Sequence, residues 1–345
     1  MNQIDTDKVS CAEVWRLSDD LRPTDNIYGE QPYGSADGTR LALRHYATPE
    51  TDGGLSILDL NDGSSHPIIE TAPRFPAFHG CNEYLYCQQQ QGDQLILCRW
   101  QPRPRGNLAS ASARGSFQLR HRFWRSPALC RVCAQRGGTV PGAAFRPGQR
   151  QVADADYQRR PLLQARAVLR DGQNLVMIQA NSPDVSRVGL GALTLARQLT
   201  WFAADEPHTT RPSGHETWIG AQTRVFFSTR WDDEQGNLWT ASLDSPAPEP
   251  LGPSVRGGHV SVSRCGHYFL VDDNRDGIPL TVGSLSSGRH AHLVFTATVH
   301  DGQQSSHAHP YLTADNRWAV YTSNRDGHSQ VYGARLPEGL LASLD

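Results

Sequence analysis

The chain has 345 residues, in which 33 Lys and Arg nearly balance 35 Asp and Glu, and its formal net charge is −2. This balance argues against a basic protein that binds nucleic acid through its phosphates. No apolar run approaches the roughly 20 residues that a membrane-spanning helix needs, so no contact with a membrane is expected.

The composition and the N-terminal sequence also indicate the cellular compartment and the class of fold. The N-terminus lacks the basic and apolar regions of a secretory signal, and an odd number of cysteines, 7, suits a reducing cytoplasm. We therefore expect a cytoplasmic protein. Cys130 and Cys133 form a lone CxxC pair, which predicts two packed thiols rather than a zinc or redox site. With 31 Gly, 22 Pro and 2 Met, the chain is typical of a turn-rich β protein.

A weak repeat of about 45 residues runs along the chain. It is clearest between 259–277, HVSVSRCGHYFLVDDNRDG, and 309–327, HPYLTADNRWAVYTSNRDG, which align without a gap and both end in NRDG. A unit near 120, around SFQLRHRFW, is degenerate. The predicted units begin near residues 31, 75, 120, 165, 215, 259 and 309.

Each unit reads as a short strand, a turn, an apolar strand, a polar loop and a third strand. Three or four short antiparallel strands in about 45 residues are typical of one blade of a β-propeller. We therefore predict an all-β, seven-bladed β-propeller that forms a single domain over residues 1–345. The N-terminal segment CAEVWRLSD is expected to supply the outer strand of the last blade and close the ring, which removes open sheet edges. The Pro/Gly/Ser-rich segment 101–115 is expected to be a blade loop.

The repeat places three histidines at one equivalent position, the start of a unit: His215, His259 and His309. His307 lies two residues before His309 and would point to the same side of an extended strand. With Gln304 upstream, four imidazoles and one amide are expected around one mouth of the channel. Three imidazoles and an amide oxygen would leave open positions on a divalent metal, as in a catalytic site. The alternative is a hydrated polar lining without a metal, and such a donor set would accept Mn²⁺, Zn²⁺, Fe²⁺ or Ni²⁺.

Several of these segments resemble one enzyme family. The QxxHxHP pattern at 304–310 with the following strands, the GHETW segment at 214–218 and the segment 257–273 are similar to oligogalacturonate lyases. Members of that family are seven-bladed propellers that use manganese to cleave short galacturonides in the bacterial cytoplasm. The resemblance extends from about residue 205 to the end of the chain.

The resemblance implies a Mn²⁺ site, a catalytic base and a substrate-binding arginine. The implied metal ligands are His259, Gln304, His307 and His309. The implied base is His215, and the implied arginine is Arg187, with Arg197 as an alternative. The expected substrate is a small acidic oligosaccharide. Two segments depart from the family's pattern, Gln164-Ala165 and NIYGEQPYG near residue 30.

Two other functions remain open from the sequence. One is a different metal-dependent propeller enzyme that acts on another uronate or sugar. The other is a non-catalytic, TolB-like propeller that binds a protein or peptide. A propeller of a prolyl-oligopeptidase-type enzyme is disfavoured, because the chain has no GxSxG nucleophile motif.

Overall fold

In a computed structural model, most of the chain outside residues 101–174 is described. Between residues 70 and 201 the description covers strand backbones and the side chain of Leu85, and the side chains at 48, 51, 52 and 304 also lie outside it. The described ranges are 1–18, 21–26, 34–48, 51–69, 74–78, 85–91, 94–100, 117–119, 163–164, 175–182, 187–194, 199–204, 208–210, 212–230, 236–245, 247–252, 255–273 and 277–345.

Strands make up nearly all of the regular structure. In chain order they are β1 Asn2–Thr6, β2 Glu13–Arg16, β3 Thr24–Asp25, β4 Arg40–Thr48, β5 Thr51–Asp59, β6 Ser65–Ile69, β7 Arg74–Phe78, β8 Leu85–Gln91, β9 Gln94–Trp100, β10 Phe117–Leu119, β11 Leu163–Gln164, β12 Leu175–Ser182, β13 Arg187–Thr194, β14 Leu199–Trp201, β15 Pro212–Trp218, β16 Arg224–Thr229, β17 Leu238–Ser242, β18 Glu249–Pro250, β19 Val260–Val262, β20 Tyr268–Asp272, β21 Gly277–Ser284, β22 His290–Thr298, β23 Tyr311–Leu312, β24 Trp318–Ser323 and β25 Gln330–Arg335. The described helical segments are a 3-10 helix, Gln304–Ser306, and a C-terminal α-helix, Leu340–Leu344. None of the helices described is long and apolar enough to span a membrane.

The strands form antiparallel sheets, and in the four-stranded sheets strands that are consecutive in sequence pair with each other. Among the described residues, five sheets have four strands each: the first blade β3–β6, the second β7–β10, the third β11–β14, the fourth β15–β18 and the fifth β19–β22. The terminal blade has the order β1-β2-β25-β24-β23. The opening strands of later blades pack beside one another, β15 on β19 and β19 on β23. This all-β arrangement is a β-propeller, as the sequence predicted.

The terminal blade joins the two ends of the chain. β2 pairs antiparallel with β25, with Glu13 opposite Arg335 and Arg16 opposite Tyr332. β1 adds a fifth strand outside β2, which the repeat did not predict. Of the segment SFQLRHRFW that marked the predicted unit near 120, Phe117–Leu119 form β10, the outer strand of the second blade. The rest of that segment lies outside the described residues, as do the CxxC pair and the 101–115 loop. That the propeller has seven blades and that its ring is closed therefore remain predictions.

The predicted phase of the repeat agrees with the opening strands in five units. β7, β11, β15, β19 and β23 begin within three residues of the predicted positions 75, 165, 215, 259 and 309. The first blade differs, because its pairing begins at Thr24, upstream of the predicted residue 31. The first blade also has an isolated β-bridge between Gly34 and Leu41. These two residues align with Leu312 and Ala319, which pair in the last unit.

Where side chains are described, apolar residues from both faces of the second strands form the cores between blades. On β20, Phe269 and Val271 belong to the cluster shared with the fourth blade, and Leu270 belongs to the cluster shared with the terminal blade. The rings of Phe226 and Phe269 lie 5.6 Å apart across the first of these contacts. A strand that is buried on both faces needs a continuous apolar run rather than an alternating one, which explains FLV in this strand. These contacts fix the relative positions of the loops that open neighbouring blades.

Candidate metal centre

Three histidines from two adjacent blades meet at the opening strands. His259 immediately precedes β19 in the fifth blade. His307 and His309 lie between the 3-10 helix and β23 in the terminal blade. Because β19 and β23 pack side by side, the three imidazoles face one another. We call His259, His307 and His309 the histidine triad.

The triad has the dimensions of a metal site. One ligand nitrogen from each imidazole lies within 4.8 Å of the corresponding nitrogens of the other two. The ring centroids of His259 and His309 are 4.5 Å apart, and the ring of His307 is 5.4 Å from each of them. Two nitrogens that bind one ion at about 2.1 Å are at most about 4.2 Å apart, so small ring rotations would suffice.

A buried carboxylate fixes the orientation of His259. Asp272, at the end of β20, accepts hydrogen bonds from the His259 backbone N–H and from its Nδ1, both at 2.7 Å. Burial raises the pKa of Asp272, but the positive charge of His259 and these hydrogen bonds outweigh it and hold the pKa below its ordinary value. Because the carboxylate is an anion, it favours a proton on Nδ1 of His259, and Nε2 is then the nitrogen that could bind a metal once the ring is neutral. A carboxylate behind a ligand histidine is the usual support of a metal-binding imidazole.

Burial keeps the other two imidazoles neutral. It lowers the pKa of His307 to about 4, helped by the nearby charges of His259 and His300. His309 is fully buried, and burial together with the nearby charges of His259 and His307 holds its pKa well below the ordinary value. Since a metal binds the unprotonated nitrogen, both rings are in the binding form at neutral pH. The donor chemistry of the triad therefore fits a divalent transition metal.

The backbone at His309 is held in an uncommon conformation. Its φ angle is +43°, in the left-handed region that residues with a side chain seldom adopt. The next residue is Pro310, which further restricts the backbone at His309. Asn26, fully buried just after β3, donates from Nδ2 to the carbonyl oxygens of His309 (2.9 Å) and Val320 (3.3 Å). Thr322 donates its hydroxyl to Asn26 Oδ1 at 2.7 Å. A side chain of the first blade thus fixes a residue of the triad.

Of the other residues that the sequence predicted for the site, one lies beside the triad, and the side chains of the others lie outside the described residues. His215, half-buried on β15, lies next to the triad, with its ring centroid 4.4 Å from that of His259. It is not a member of the set whose nitrogens converge among the described residues. Gln304 begins the 3-10 helix and Arg187 begins β13, opposite Ser182. The side chains of both, and Arg197 altogether, lie outside the described residues.

The sequence analysis did not predict the side chains that hold the triad residues in place, although the repeat aligns several of them at one position. In the alignment, one position on the second strand of four blades carries Ser228, Asp272, Thr322 and Arg44. Each of these side chains reaches an opening segment. Ser228 donates to the carbonyl of Gly258 at 2.9 Å, and Arg44 Nε donates to Asp25 at 3.0 Å. The position is constant, but its residue type changes from blade to blade.

Arg44 also brings a positive charge towards the triad. Its guanidinium makes a two-bonded ion pair with the fully buried Asp25 and lies 4.9 Å from the ring centroid of Tyr46. The Tyr46 hydroxyl donates to the same carboxylate at 2.6 Å. The charge of Arg44 contributes, after burial and the neighbouring imidazoles, to the lowered pKa of His309. The first blade therefore adds an arginine beside the histidines.

No protein-family model matches the chain, and no curated protein matches it either. Its fold, in contrast, is similar to that of solved structures. An oligogalacturonate lyase in complex with manganese is similar at a TM-score of 0.63 and 14% identity, over 97% of this chain and 96% of that chain. An oligogalacturonate lyase from Vibrio parahaemolyticus gives a TM-score of 0.62 and 12% identity, over 99% of this chain and 97% of that chain. The structure of U3-55K gives a TM-score of 0.50 and 7% identity, over 94% of this chain and 98% of that chain. At these identities the similarity shows the fold alone, a β-propeller that this chain shares with the two lyases.

Proposed function

We propose that the protein is a metal-dependent lyase that cleaves short galacturonides by β-elimination. The observation that carries this proposal is the convergence of the histidine triad beside a further imidazole, His215. The fold supports it, because two similar structures are oligogalacturonate lyases and one of these is a complex with manganese. The substrate is a small acidic oligosaccharide.

In this proposal the ligands of the metal, Mn²⁺ or another divalent transition ion, are His259, His307 and His309, with Gln304 as a fourth. A bound divalent ion supplies a Lewis acid that offsets the negative charge developing beside the substrate carboxylate when the neighbouring proton leaves. Asp272 holds His259 through Nδ1, so that Nε2 would be the nitrogen that binds the ion. Asn26 keeps the His309 backbone in its left-handed conformation.

His215 is the proposed base. It takes the C5 proton, which is α to the C6 carboxylate, and imidazole is the side chain best suited to this transfer near neutral pH. The electron pair of the broken C–H bond becomes the second bond between C4 and C5. The glycosidic oxygen leaves C4 with the pair of the broken C–O bond and is protonated. Because His215 lies beside the triad rather than in it, a metal held by the triad would not need a nitrogen of His215 as a ligand.

The anionic substrate also needs a cation to hold it. Arg187 is the proposed partner, with Arg197 as the alternative, because an arginine binds a carboxylate through two parallel hydrogen bonds. Arg187 begins β13 of the third blade, which precedes the blade that carries His215.

The experiment that tests this function is a turnover assay on metal-stripped protein. Digalacturonate and its unsaturated analogue are added with and without Mn²⁺, and the products are followed by ultraviolet absorbance and by mass spectrometry. The proposal expects two monosaccharide-sized products, one of them unsaturated or rearranged to a keto form, only with the metal. Binding of the sugars without cleavage under any divalent metal would instead indicate a binding propeller. Cleavage that is unaffected by a chelator would remove the metal from the mechanism.

A further inference from the structure

A fifth imidazole, His300, lies next to the triad and has no part in the chemistry described so far. It is exposed, on the segment between β22 and the 3-10 helix. Its ring centroid lies 5.9 Å from that of His307, with the two rings nearly perpendicular, at 87°. His215, in contrast, contacts His259. The two imidazoles outside the triad therefore contact different members of it.

One asparagine side chain binds the backbone of the residue before His300 and the side-chain carboxylate of the residue after it. Asn324 accepts the backbone N–H of Val299 through Oδ1 and donates to the Val299 carbonyl through Nδ2, both at 2.8 Å. The same Nδ2 donates to Asp301 at 3.2 Å. Asp301 in turn accepts from the Ser306 hydroxyl at 2.5 Å. His300 is thus an exposed side chain on an ordered backbone.

This combination leaves the imidazole accessible to a ligand that enters beside the triad. Among the described residues, the contact found for the His300 ring is the one with His307, and no hydrogen bond or ion pair accompanies it. A fixed backbone, in turn, lowers the entropy that is lost when the side chain binds a ligand.

We propose that His300 is a substrate-binding residue that donates a hydrogen bond to the carboxylate of a second uronate unit. This inference rests on the proposed function, since it assumes that the triad end of the site holds the first uronate. His215 then faces the reacting carbon on the His259 side, and His300 receives the neighbouring sugar on the His307 side. His300 is neither a ligand nor the base in this arrangement, and it acts on affinity rather than on the chemical step.

The test compares steady-state kinetics on digalacturonate for the Mn²⁺-loaded wild type, His300→Ala, His300→Gln and His290→Ala. His290, on the outer strand β22 of the neighbouring fifth blade, is the matched control. His300→Ala is expected to raise KM by about 10-fold or more, the effect of losing a hydrogen bond to a charged group. Its kcat should stay within about 3-fold of wild type. His300→Gln keeps a donor and should recover part of the affinity, which a purely structural role would not predict.

The outcomes separate this inference from the function on which it rests. A wild-type protein that neither binds nor cleaves digalacturonate refutes both. A wild-type protein that cleaves it, together with an unchanged KM in His300→Ala, refutes the inference alone. Loss of bound Mn²⁺ in His300→Ala also refutes it, because His300 would then be a ligand.

Discussion

The fifth and first blades carry opposite chemistry at the same position of the repeat. In the fifth blade Asp272 ends the second strand and holds the imidazole of His259. In the first blade Arg44 occupies the aligned position and holds the buried carboxylate of Asp25. A carboxylate therefore holds an imidazole in the fifth blade, whereas a guanidinium holds a carboxylate in the first blade. In both blades the partner of the supporting side chain lies at the opening strand.

The comparison teaches that the repeat fixes where a supporting side chain lies but not what it binds. Where the support is an acid, the blade presents an imidazole that is oriented through Nδ1, so that its Nε2 could bind a metal. Where the supporting side chain is Arg44, its positive charge balances the buried Asp25 carboxylate, which also accepts a hydrogen bond from Tyr46. The first blade contributes to the triad through Asn26 instead, one residue beyond Asp25. Substitutions on the two sides of this comparison should therefore change the metal affinity by very different amounts.

Loss of a triad imidazole should have the largest effect. His307→Ala or His309→Ala removes one of three converging nitrogens and should lower Mn²⁺ affinity by more than about 100-fold, above the 10–100-fold typical of outer supports. His290→Ala should leave the affinity unchanged. Metal titration of the chelator-treated protein measures both. Wild-type affinity in either triad variant would show that these imidazoles line the channel without binding a metal.

Loss of the acid that supports His259 should have an intermediate effect. Asp272→Asn keeps the shape of the side chain but can no longer accept the Nδ1 proton as an anion, so Mn²⁺ affinity should fall by about 10–100-fold. Asp7→Asn is a matched control, because Asp7 pairs with His292 at 3.1 Å, away from the triad. Equal metal affinities in the two variants would contradict a role of Asp272 in the site.

Loss of the support from the first blade should have a smaller effect on the metal. Asn26→Ala leaves two buried carbonyls without their donor and should lower the free energy of unfolding by about 1–3 kcal/mol. Because His309 loses the hydrogen bond that fixes its backbone, we expect a loss of about 3- to 10-fold in Mn²⁺ affinity, somewhat less than for a direct support of a ligand.

Asn237→Ala provides the control for this substitution. Asn237 is also buried and donates to two carbonyls, those of Thr229 and Gly257, neither of which belongs to a triad residue. Denaturant unfolding and metal titration of both variants should show similar losses of stability and a loss of metal affinity in Asn26→Ala alone. A matching loss in Asn237→Ala would mean that general destabilisation accounts for the effect.

The fold and the triad could be predicted because both follow the repeat. Short apolar strands recur at a nearly constant spacing, and His259 and His309 each open a unit. Any sheet that repeats this unit brings equivalent positions of adjacent blades together, so the meeting of these imidazoles needs no structural knowledge beyond the alignment.

The supports could not be predicted in the same way. Asp272 and Thr322 align with each other but bind different partners, because one faces an imidazole and the other an asparagine of the next blade. Asn26 lies upstream of the predicted start of its unit, where no alignment reached. Asn324 belongs to an NRDG turn, and its turn role is present in the bond from Gly327 N–H to its carbonyl. Its side chain, however, fixes the loop at His300, which turn chemistry does not predict.

The most direct test of the central claim, that ligand and base are different histidines, is the metal content and turnover of His215→Ala. His215 lies beside His259 but outside the converging set, so this variant should bind Mn²⁺ with wild-type affinity. Its turnover of digalacturonate should fall by about 100-fold or more, the contribution of a positioned base. Loss of Mn²⁺ in this variant would make His215 a ligand, and full turnover would remove it from the reaction. Either result would contradict the account.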